Sequence, residues 1–479
     1  MSSSTQLVVI GGGPGGYAAA FYGADLGMQV TLVDMEPNPG GVCLYRGCIP
    51  SKALLHVAKV ASEAKHASHW GLTYAEPTID LDKLRSFKDG VVTKLTGGLG
   101  QLSRQRKITF IQGKASFVDA KNLSIELAAG GTQALAFESA IIATGSYPTR
   151  IPGLDITSDR LMDSTGALDL PDIPKTLLVV GGGYIGLELG SVYAALGTKV
   201  TVVEMTDGLL PGADRDLVTF LARRLETTMD KILLKTKVTG MKEAKNGITV
   251  SMESADPAAG SGQAAATENT YDRVLVSIGR RPNSAIPGLD KAGVKVSDKG
   301  FITVDSAMRT NIAGISAVGD VVGEPMLAHK ASHEAKVAVE AILGHKVAFE
   351  PQAIPAVVFT DPEVAWCGLT ESDAKKQGRK VEIAKFPWAA LGRALAIDRP
   401  DGMTKLVIDP ETERILGVGI VGAGAGELIA EGVLAVEMAA LASDLKLSIH
   451  PHPTMSETLM EAAEVFFGHS THVYRPKKK

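Results

Sequence analysis

Cys43 and Cys48 are the residues best placed to do chemistry. They lie five positions apart in Gly40-Gly41-Val42-Cys43-Leu44-Tyr45-Arg46-Gly47-Cys48-Ile49-Pro50-Ser51-Lys52. In a regular helix that spacing separates the Cα atoms by roughly 8–9 Å, beyond the ~7 Å reach of a disulfide. The pair can bridge only if the backbone bends between them, and Gly47 and Pro50 permit a bend. Pro50 suits the first turn of a helix running through His56 and Val60. Cys48 then sits beside the helix N-terminus, where the dipole lowers a thiol pKa. Cys43 is expected further out, in a loop. The reading is two unequal thiols, with Cys48 the stabilised thiolate and Cys43 the freer sulfur. A metal site would need more ligands, and no second Cys pair or close His pair supplies them. Two buried structural thiols are the bland alternative. Cys367, in Ala365-Trp366-Cys367-Gly368, has no partner in sequence and reads as a buried apolar thiol.

Two further groups stand out. His452 precedes Pro453, which suits the start of a helix over 454–467, with Glu457 in its first turns. A carboxylate reaching back to the imidazole orients the ring and suits a general base. A lone His near a helix start more often caps the helix or faces solvent, and His450 is the alternative base. Glu188 lies between Leu187 and Leu189 in an otherwise small and apolar helix. On a solvated face it needs nothing; if buried it needs a cation, and Lys52 is the candidate.

Glycine turns must hold whatever these groups act with. Leu7–Met35 and Leu177–Met205 align with thirteen of 29 positions identical. Each copy reads apolar strand, Gly-x-Gly-x-x-Gly, small-residue helix, second β-branched strand. The glycines are Gly11, Gly13 and Gly16, then Gly181, Gly183 and Gly186; an acid, Asp34 or Glu204, follows 23 residues after the first glycine of each copy. The first glycine permits the turn, the second lets backbone approach a pyrophosphate, and the third packs helix on strand. The acid accepts from ribose hydroxyls. Two such sites in one chain suggest two dinucleotide electron carriers. After Glu204 the first arginine is Arg215, so a 2′-phosphate would meet a carboxylate and no nearby cation; the second site should take NAD rather than NADP.

The whole chain has 479 residues, enough for three or four domains. Lys and Arg number 49 against 53 Asp and Glu, a net charge of −4, which argues against nucleic acid and polybasic membrane binding. There is no apolar run of transmembrane length and no targeting segment at the start, and only three cysteines, so a reducing, bacterial-type cytoplasm is expected. Strands ending in turns are expected at Ile141–Gly145, Val274–Gly279 and Ile315–Gly319. The last is followed by Asp320 at a carboxyl end, where α/β sheets bind ligands. Residues 252–270 read as an exposed loop and 475–479 as a frayed end. From Pro351 on, the strand pattern Met403–Ile408 and the helix pattern Gly426–Ala442 carry no nucleotide motif, which suits an isologous dimer interface. The expected division is 1–149, 150–279, 280–350 returning to the first domain, and 351–479.

The segment Cys43–Lys52 resembles the redox-disulfide motif of the pyridine nucleotide–disulfide oxidoreductases. The resemblance continues through both glycine motifs, Ala143-Thr144-Gly145, Gly319-Asp320, Ala328-His329-Lys330-Ala331 and His450–Glu457, and so spans the chain. It implies an α/β fold with two Rossmann-like domains and a C-terminal α+β dimerisation domain. It implies FAD at the first site, held by Gly11, Gly13, Gly16, Asp34, Lys52, Thr144, Gly145, Asp320 and Ala328. It implies NAD at the second, held by Gly181, Gly183, Gly186, Glu204 and Gly279. By the same resemblance, Cys43 exchanges with substrate, Cys48 faces the flavin, Lys52 pairs with Glu188, and Asp320 binds the ribityl chain. His452 and Glu457 serve across a homodimer interface. Within the family the chain is most similar to the enzymes that reoxidise protein-bound dihydrolipoyl groups with NAD. That implies lipoyl domains and the acyltransferase core of a 2-oxoacid dehydrogenase complex, or the lipoyl carrier of glycine cleavage, as partners. A glutathione-reductase-like disulfide reductase is the alternative. Tyr45-Arg46 between the cysteines and Ala331-Ser332-His333-Glu334 depart from the family's usual residues.

Overall fold

A computed structural model of the chain describes residues 3–151, 153–255 and 265–474. The first apolar run becomes the strand Ser3–Ile10, which pairs in parallel with Val30–Asp34 on one side and Thr132–Ile142 on the other. Leu7, Val8 and Val9 are fully buried, as in a parallel sheet covered on both faces. Thr109–Phe117 extends this sheet past Val30–Asp34, and Ile315–Ala317 extends it past Thr132–Ile142. The chain thus leaves the sheet, builds a second one, and returns. Asp320 follows in the single 3₁₀ turn Gly319–Val321.

The second sheet holds Lys231–Leu233, Lys199–Val203, Thr176–Val180, Arg273–Val276 and Leu161–Met162, all parallel. The strand expected over Val274–Gly279 stops at Val276, and Gly279 turns the chain with φ +117°. The expected loop over 252–270 is corrected. Gly247–Ser254 and Ala265–Tyr271 pair antiparallel, with Ser254 opposite Ala265. Met252 is buried in that ladder, so small and hydroxyl residues there are strand rather than coil. Residues 256–264 and the tail 475–479 lie outside the described residues.

The third sheet is antiparallel throughout, in the order Ala356–Val358, Glu363–Gly368, Ile415–Gly422, Met403–Ile408, Glu382–Pro387. Met403–Ile408 is a strand, but all six residues are buried instead of alternating. Helix Glu457–Phe467 packs on this strand and helix Arg215–Thr228 on the neighbouring one, Ile415–Gly422. The helix expected over Gly426–Ala442 runs Ala425–Glu437: Ala439 takes φ +56°, and Ala442–Leu447 forms a separate short helix. The helix expected over 454–467 starts at Glu457. Thr454 spends its N–H on the Glu457 carboxylate and its hydroxyl on the Pro451 carbonyl, forming a turn before the helix. No helix among the described residues is long and apolar enough to cross a membrane.

One apolar cluster joins all three parts, packing Leu54, Leu187, Leu189, Val358 and Val364 together. Leu54 brings the helix Cys48–His66 into this cluster.

Candidate active site

The cysteine segment folds as two consecutive helices, Gly41–Arg46 and Cys48–His66. Gly47 supplies the bend between them at φ −146°, ψ −115°, and a Cβ there would meet the Val42 carbonyl oxygen at 2.9 Å. The expected loop position of Cys43 is corrected: it sits inside the first short helix and is half-buried, while Cys48 is the more exposed. Gly41 causes this. Its φ of +56° starts the short helix, and its backbone stacks on Gly13 closely enough that a Cβ would come within 2.4 Å of the Gly13 Cα.

Both cysteines are free, and a side-chain hydrogen bond between them shifts their pKa values in opposite directions. That bond raises the Cys43 pKa, and burial raises it further. The same bond lowers the Cys48 pKa; burial opposes this, and the Lys52 ammonium reinforces it. The expected inequality is therefore present, with Cys43 and Lys52 as causes beyond the helix dipole.

Both cysteines line one cavity with Gly11, Gly13, Asp34, Lys52, Thr144, Gly145, Asp320 and Ala328. Gly16 is inside the fold instead, where a Cβ would lie 1.7 Å from the Gly11 carbonyl oxygen. The cavity is continuous from Asp34, at the first glycine turn, to Lys52 and Tyr184, near the cysteines. Gly13 and Gly145 leave bare backbone there, with no atom closer than 3.9 Å to an added Cβ. A long dinucleotide with a pyrophosphate at the glycine turn suits this shape and these donors, so the cavity fits FAD.

Several neighbours were not read from the sequence. Ser146 donates to Asp320, and Arg280 Nε donates to Ser146 Oγ at 2.7 Å. Arg280–Pro282 pairs with Ser146–Pro148, and the Arg-Arg-Pro after a strand-ending glycine was the only sequence signal. Arg46 ion-pairs with Glu36, and both line the cavity. Tyr184, at the start of helix Tyr184–Ala195, also faces the cavity, and burial pushes its pKa up to about 12.

Glu188 is 3% exposed, so the solvated-face reading is out. Lys52 Nζ donates to its Oε2 at 2.7 Å and Ser51 Oγ at 3.1 Å, while the Phe359 N–H donates to Oε1 at 3.0 Å. Lys52 Nζ also lies 4.5 Å from the Phe359 ring centroid. One carboxylate thus ties the redox helix, the second glycine helix and the C-terminal sheet.

At the second turn, Gly181 has φ +111°, and a Cβ on Gly186 would meet the Gly181 carbonyl oxygen at 2.4 Å. Gly183 and Gly279 have no atom within 4 Å of an added Cβ. Glu204 accepts from Gly182 N at 2.7 Å and from Thr206 N and Oγ1 at 2.8 Å. A carboxylate has about four lone-pair sites, which leaves one for a ribose hydroxyl. Arg215 spends its guanidinium on the Leu209, Leu210 and Ala213 carbonyls, so it is not free for a 2′-phosphate.

His452 Nδ1 lies 2.9 Å from Glu457 Oε1. The carboxylate can only accept, so in the neutral ring Nδ1 carries the proton and Nε2 keeps its lone pair. Burial raises the Glu457 pKa, but the Thr454 N–H and His452 outweigh it and hold the carboxyl below its usual range. His450 is different. Nδ1 meets the Ser448 carbonyl at 2.9 Å and Nε2 meets Glu431 at 2.7 Å, so both nitrogens are committed to acceptors. The His452 side chain is 74% exposed and is not among the described residues lining the cysteine cavity.

Comparison with known proteins agrees with this geometry. Residues 5–335 match the model of the pyridine nucleotide-disulphide oxidoreductases, and residues 354–463 match that family's dimerisation domain. The chain is 50% identical over 475 residues to a dihydrolipoyl dehydrogenase of Haemophilus influenzae, covering 99% of this chain and 98% of that one. It is 45% identical to the dihydrolipoyl dehydrogenase of Geobacillus stearothermophilus, covering 98% and 97%. Among solved structures, LpdA from Mycobacterium tuberculosis superposes with a TM-score of 0.88 at 26% identity, covering 96% of this chain and 99% of that one. The HOCl-induced flavoprotein disulfide reductase RclA from Escherichia coli gives 0.83 at 28%, covering 95% and 98%. With two glycine turns, a thiol pair beside one of them and a dimerisation domain, the chain belongs to the FAD-containing, NAD-dependent pyridine nucleotide-disulphide oxidoreductases.

Proposed function

We propose that the chain reoxidises protein-bound dihydrolipoyl groups to lipoyl groups and reduces NAD, working as a homodimer in the cytoplasm. The observation that carries this is the pair of unequal thiols beside Lys52–Glu188, in the same cavity as the first glycine turn. Full-length relatives named dihydrolipoyl dehydrogenase support the substrate class. Residues 1–149 and 280–350 form the FAD domain, 150–279 the NAD domain and 351–479 the interface domain. Partners are the lipoyl domains and acyltransferase core of a 2-oxoacid dehydrogenase complex, or the lipoyl carrier of glycine cleavage.

In the oxidised enzyme Cys43 and Cys48 share a disulfide. His452 of a second copy, oriented by Glu457, takes a proton from the dithiol through Nε2. The resulting thiolate attacks the Cys43 sulfur, the S–S bond breaks, and Cys48 leaves as thiolate. The second substrate thiol then attacks the mixed disulfide and releases Cys43 as a thiol. Substrate has lost two electrons and the disulfide has gained them. Lys52 stabilises the Cys48 thiolate, and Glu188 fixes Lys52. Asp34 and Asp320 would hold FAD and Glu204 the NAD ribose, and the flavin would supply two-electron redox chemistry between the cysteine pair and the nicotinamide.

The test is turnover of dihydrolipoamide with NAD, run beside reduced glutathione and beside NADP. The expected result is turnover with the first pair alone. Replacing Glu204 and Met205 with arginine should move preference toward NADP. Wild-type turnover with glutathione, or equal use of NADP, would defeat the proposal.

A further inference from the structure

The redox helix ends in a group of ligand-type side chains away from the cavity. His66 is the last residue of helix Cys48–His66, and His69 lies in the 3₁₀ turn Ala67–Trp70 that follows. Asp398 comes from the C-terminal part of the chain, just past the short helix Gly392–Ala396. The fold brings the three together. His66 Nε2 lies 2.8 Å from Asp398 Oδ2, and the His66 and His69 ring centroids are 4.7 Å apart. One ligand atom from each residue lies within 4.8 Å of the others. Trp70 Nε1 donates to the same Asp398 Oδ2 at 2.8 Å, and its ring meets His66 edge-on at 5.2 Å. Trp70 therefore fixes both the carboxylate and the His66 ring, as outer-shell groups do around metal ligands. Asp398 supplies a carboxylate oxygen, an anionic donor at neutral pH. His69 and Asp398 are exposed, so an ion reaches them from solvent.

We propose that His66, His69 and Asp398 form a surface site for one divalent transition-metal ion. Two imidazoles and one carboxylate are a borderline-soft donor set, which suits Zn²⁺, Ni²⁺ or Cu²⁺ and not Ca²⁺ or Mg²⁺. Metal–ligand distances of about 2.0–2.1 Å in a tetrahedral site place ligand atoms roughly 3.3 Å apart. The widest pair must therefore close by at most about 1.5 Å, a rotation within reach of the exposed His69 side chain. The fourth position is left for water. The bound ion would clamp the far end of the helix that begins at Cys48 onto the dimerisation domain. Only the folded chain brings all three ligands together, because Asp398 lies 332 positions from His66.

The test uses the oxidised, FAD-loaded enzyme, in which the Cys43–Cys48 disulfide offers no thiolate and Cys367 is buried. Cu²⁺ is titrated while Trp70 fluorescence and the electron paramagnetic resonance spectrum are recorded. One equivalent per chain should quench Trp70 and show hyperfine splitting from two imidazole nitrogens. His69→Ala and Asp398→Asn should each weaken binding at least tenfold, with dihydrolipoamide turnover unchanged. His69→Ala should also reduce the splitting to one nitrogen. In a separate arm Zn²⁺ should raise the thermal midpoint of the wild type and of neither variant. Equal Cu²⁺ affinity in wild type and His69→Ala, or a sulfur-ligated spectrum, would overturn the site.

Discussion

Cys43 and Cys48 are chemically identical and five positions apart, yet the structure gives them opposite acidities. The leading cause at Cys48 is the hydrogen bond it shares with the Cys43 side chain, which leads to a prediction about what stands at position 43. Cys43→Ser keeps a donor there, and Cys43→Ala removes it. In either variant a lone Cys48 thiolate beside bound flavin should give a long-wavelength absorbance band without reductant. A lowered pKa keeps the thiolate, and the band, to lower pH than an ordinary thiol near 8.5 would allow. The band disappears as pH falls through the lowered value. In Cys43→Ala that loss should occur at higher pH than in Cys43→Ser. Identical midpoints in an absorbance titration would mean the Cys43 bond is not what acidifies Cys48. At this scale much of the site was legible, because single residues carry strong demands: a carboxylate in an apolar helix needs a cation, and Glu188 has Lys52. Its third partner was not legible. Phe359 is 171 positions from Glu188, and Ser146 is 134 from Arg280. Nothing local in the sequence marks such pairs.

The glycines of one turn motif differ in their tolerance of a side chain: the third position is closed in both copies and the second is open in both. A Cβ on Gly16 would lie 1.7 Å from a backbone carbonyl, whereas one on Gly183 meets nothing within 4 Å and its backbone is extended. Gly16→Ala should therefore destabilise the fold by about 1–3 kcal/mol or more through overpacking, seen as a lower thermal midpoint and lost FAD. Gly183→Ala should leave the midpoint nearly unchanged, within about 0.5 kcal/mol. Its methyl would instead occupy the approach of the NAD pyrophosphate, so KM for NAD should rise while FAD content stays normal. An unchanged KM would show that the second turn does not hold the phosphates. The turns were legible because their glycines are set by sterics within a few residues. Element ends were less so. Helix Ala425–Glu437 stops where Ala439 turns to positive φ, and helix Glu457–Phe467 starts late because Thr454 spends its polar groups on a turn. Both ends are set by local turns and the hydrogen bonds within them, which hydrophobic periodicity does not register.

On the scale of the molecule, the second and third sheets are joined by a charge with no access to water. Lys405 is 0% exposed, and its Nζ lies 2.6 Å from Asp214, 2.8 Å from Asp216 and 3.3 Å from Glu371. Burial raises the Asp214 pKa, but the bonds from Lys405 and Ser372 overcome this and bring it to about 2. A depressed carboxylate pKa adds stability above its ordinary value, and that stability is lost as pH falls toward 2. Lys405→Met would leave the carboxylates without their cation and should cost about 3–5 kcal/mol near neutral pH, measured by denaturant unfolding. A loss below ~1 kcal/mol would mean the cluster is not a staple. The dimer poses the larger question. Ile449 is 97% exposed and Leu447 76%, beside Leu434 and Met438 on the same domain. Apolar groups so placed mark a surface another chain covers, and they adjoin the His450–His452 segment. The His452 side chain is 74% exposed and is not among the described residues lining the cavity of its own chain. An isologous dimer would bring each His452 to the other chain's cysteines. The arrangement can be tested by mixing Cys43→Ser chains with His452→Gln chains, each inactive alone, under conditions that exchange subunits. In a shared-site heterodimer one site carries both defects and the other carries none. About half the wild-type activity per heterodimer should therefore return. If heterodimers form and no activity appears, each base serves its own chain.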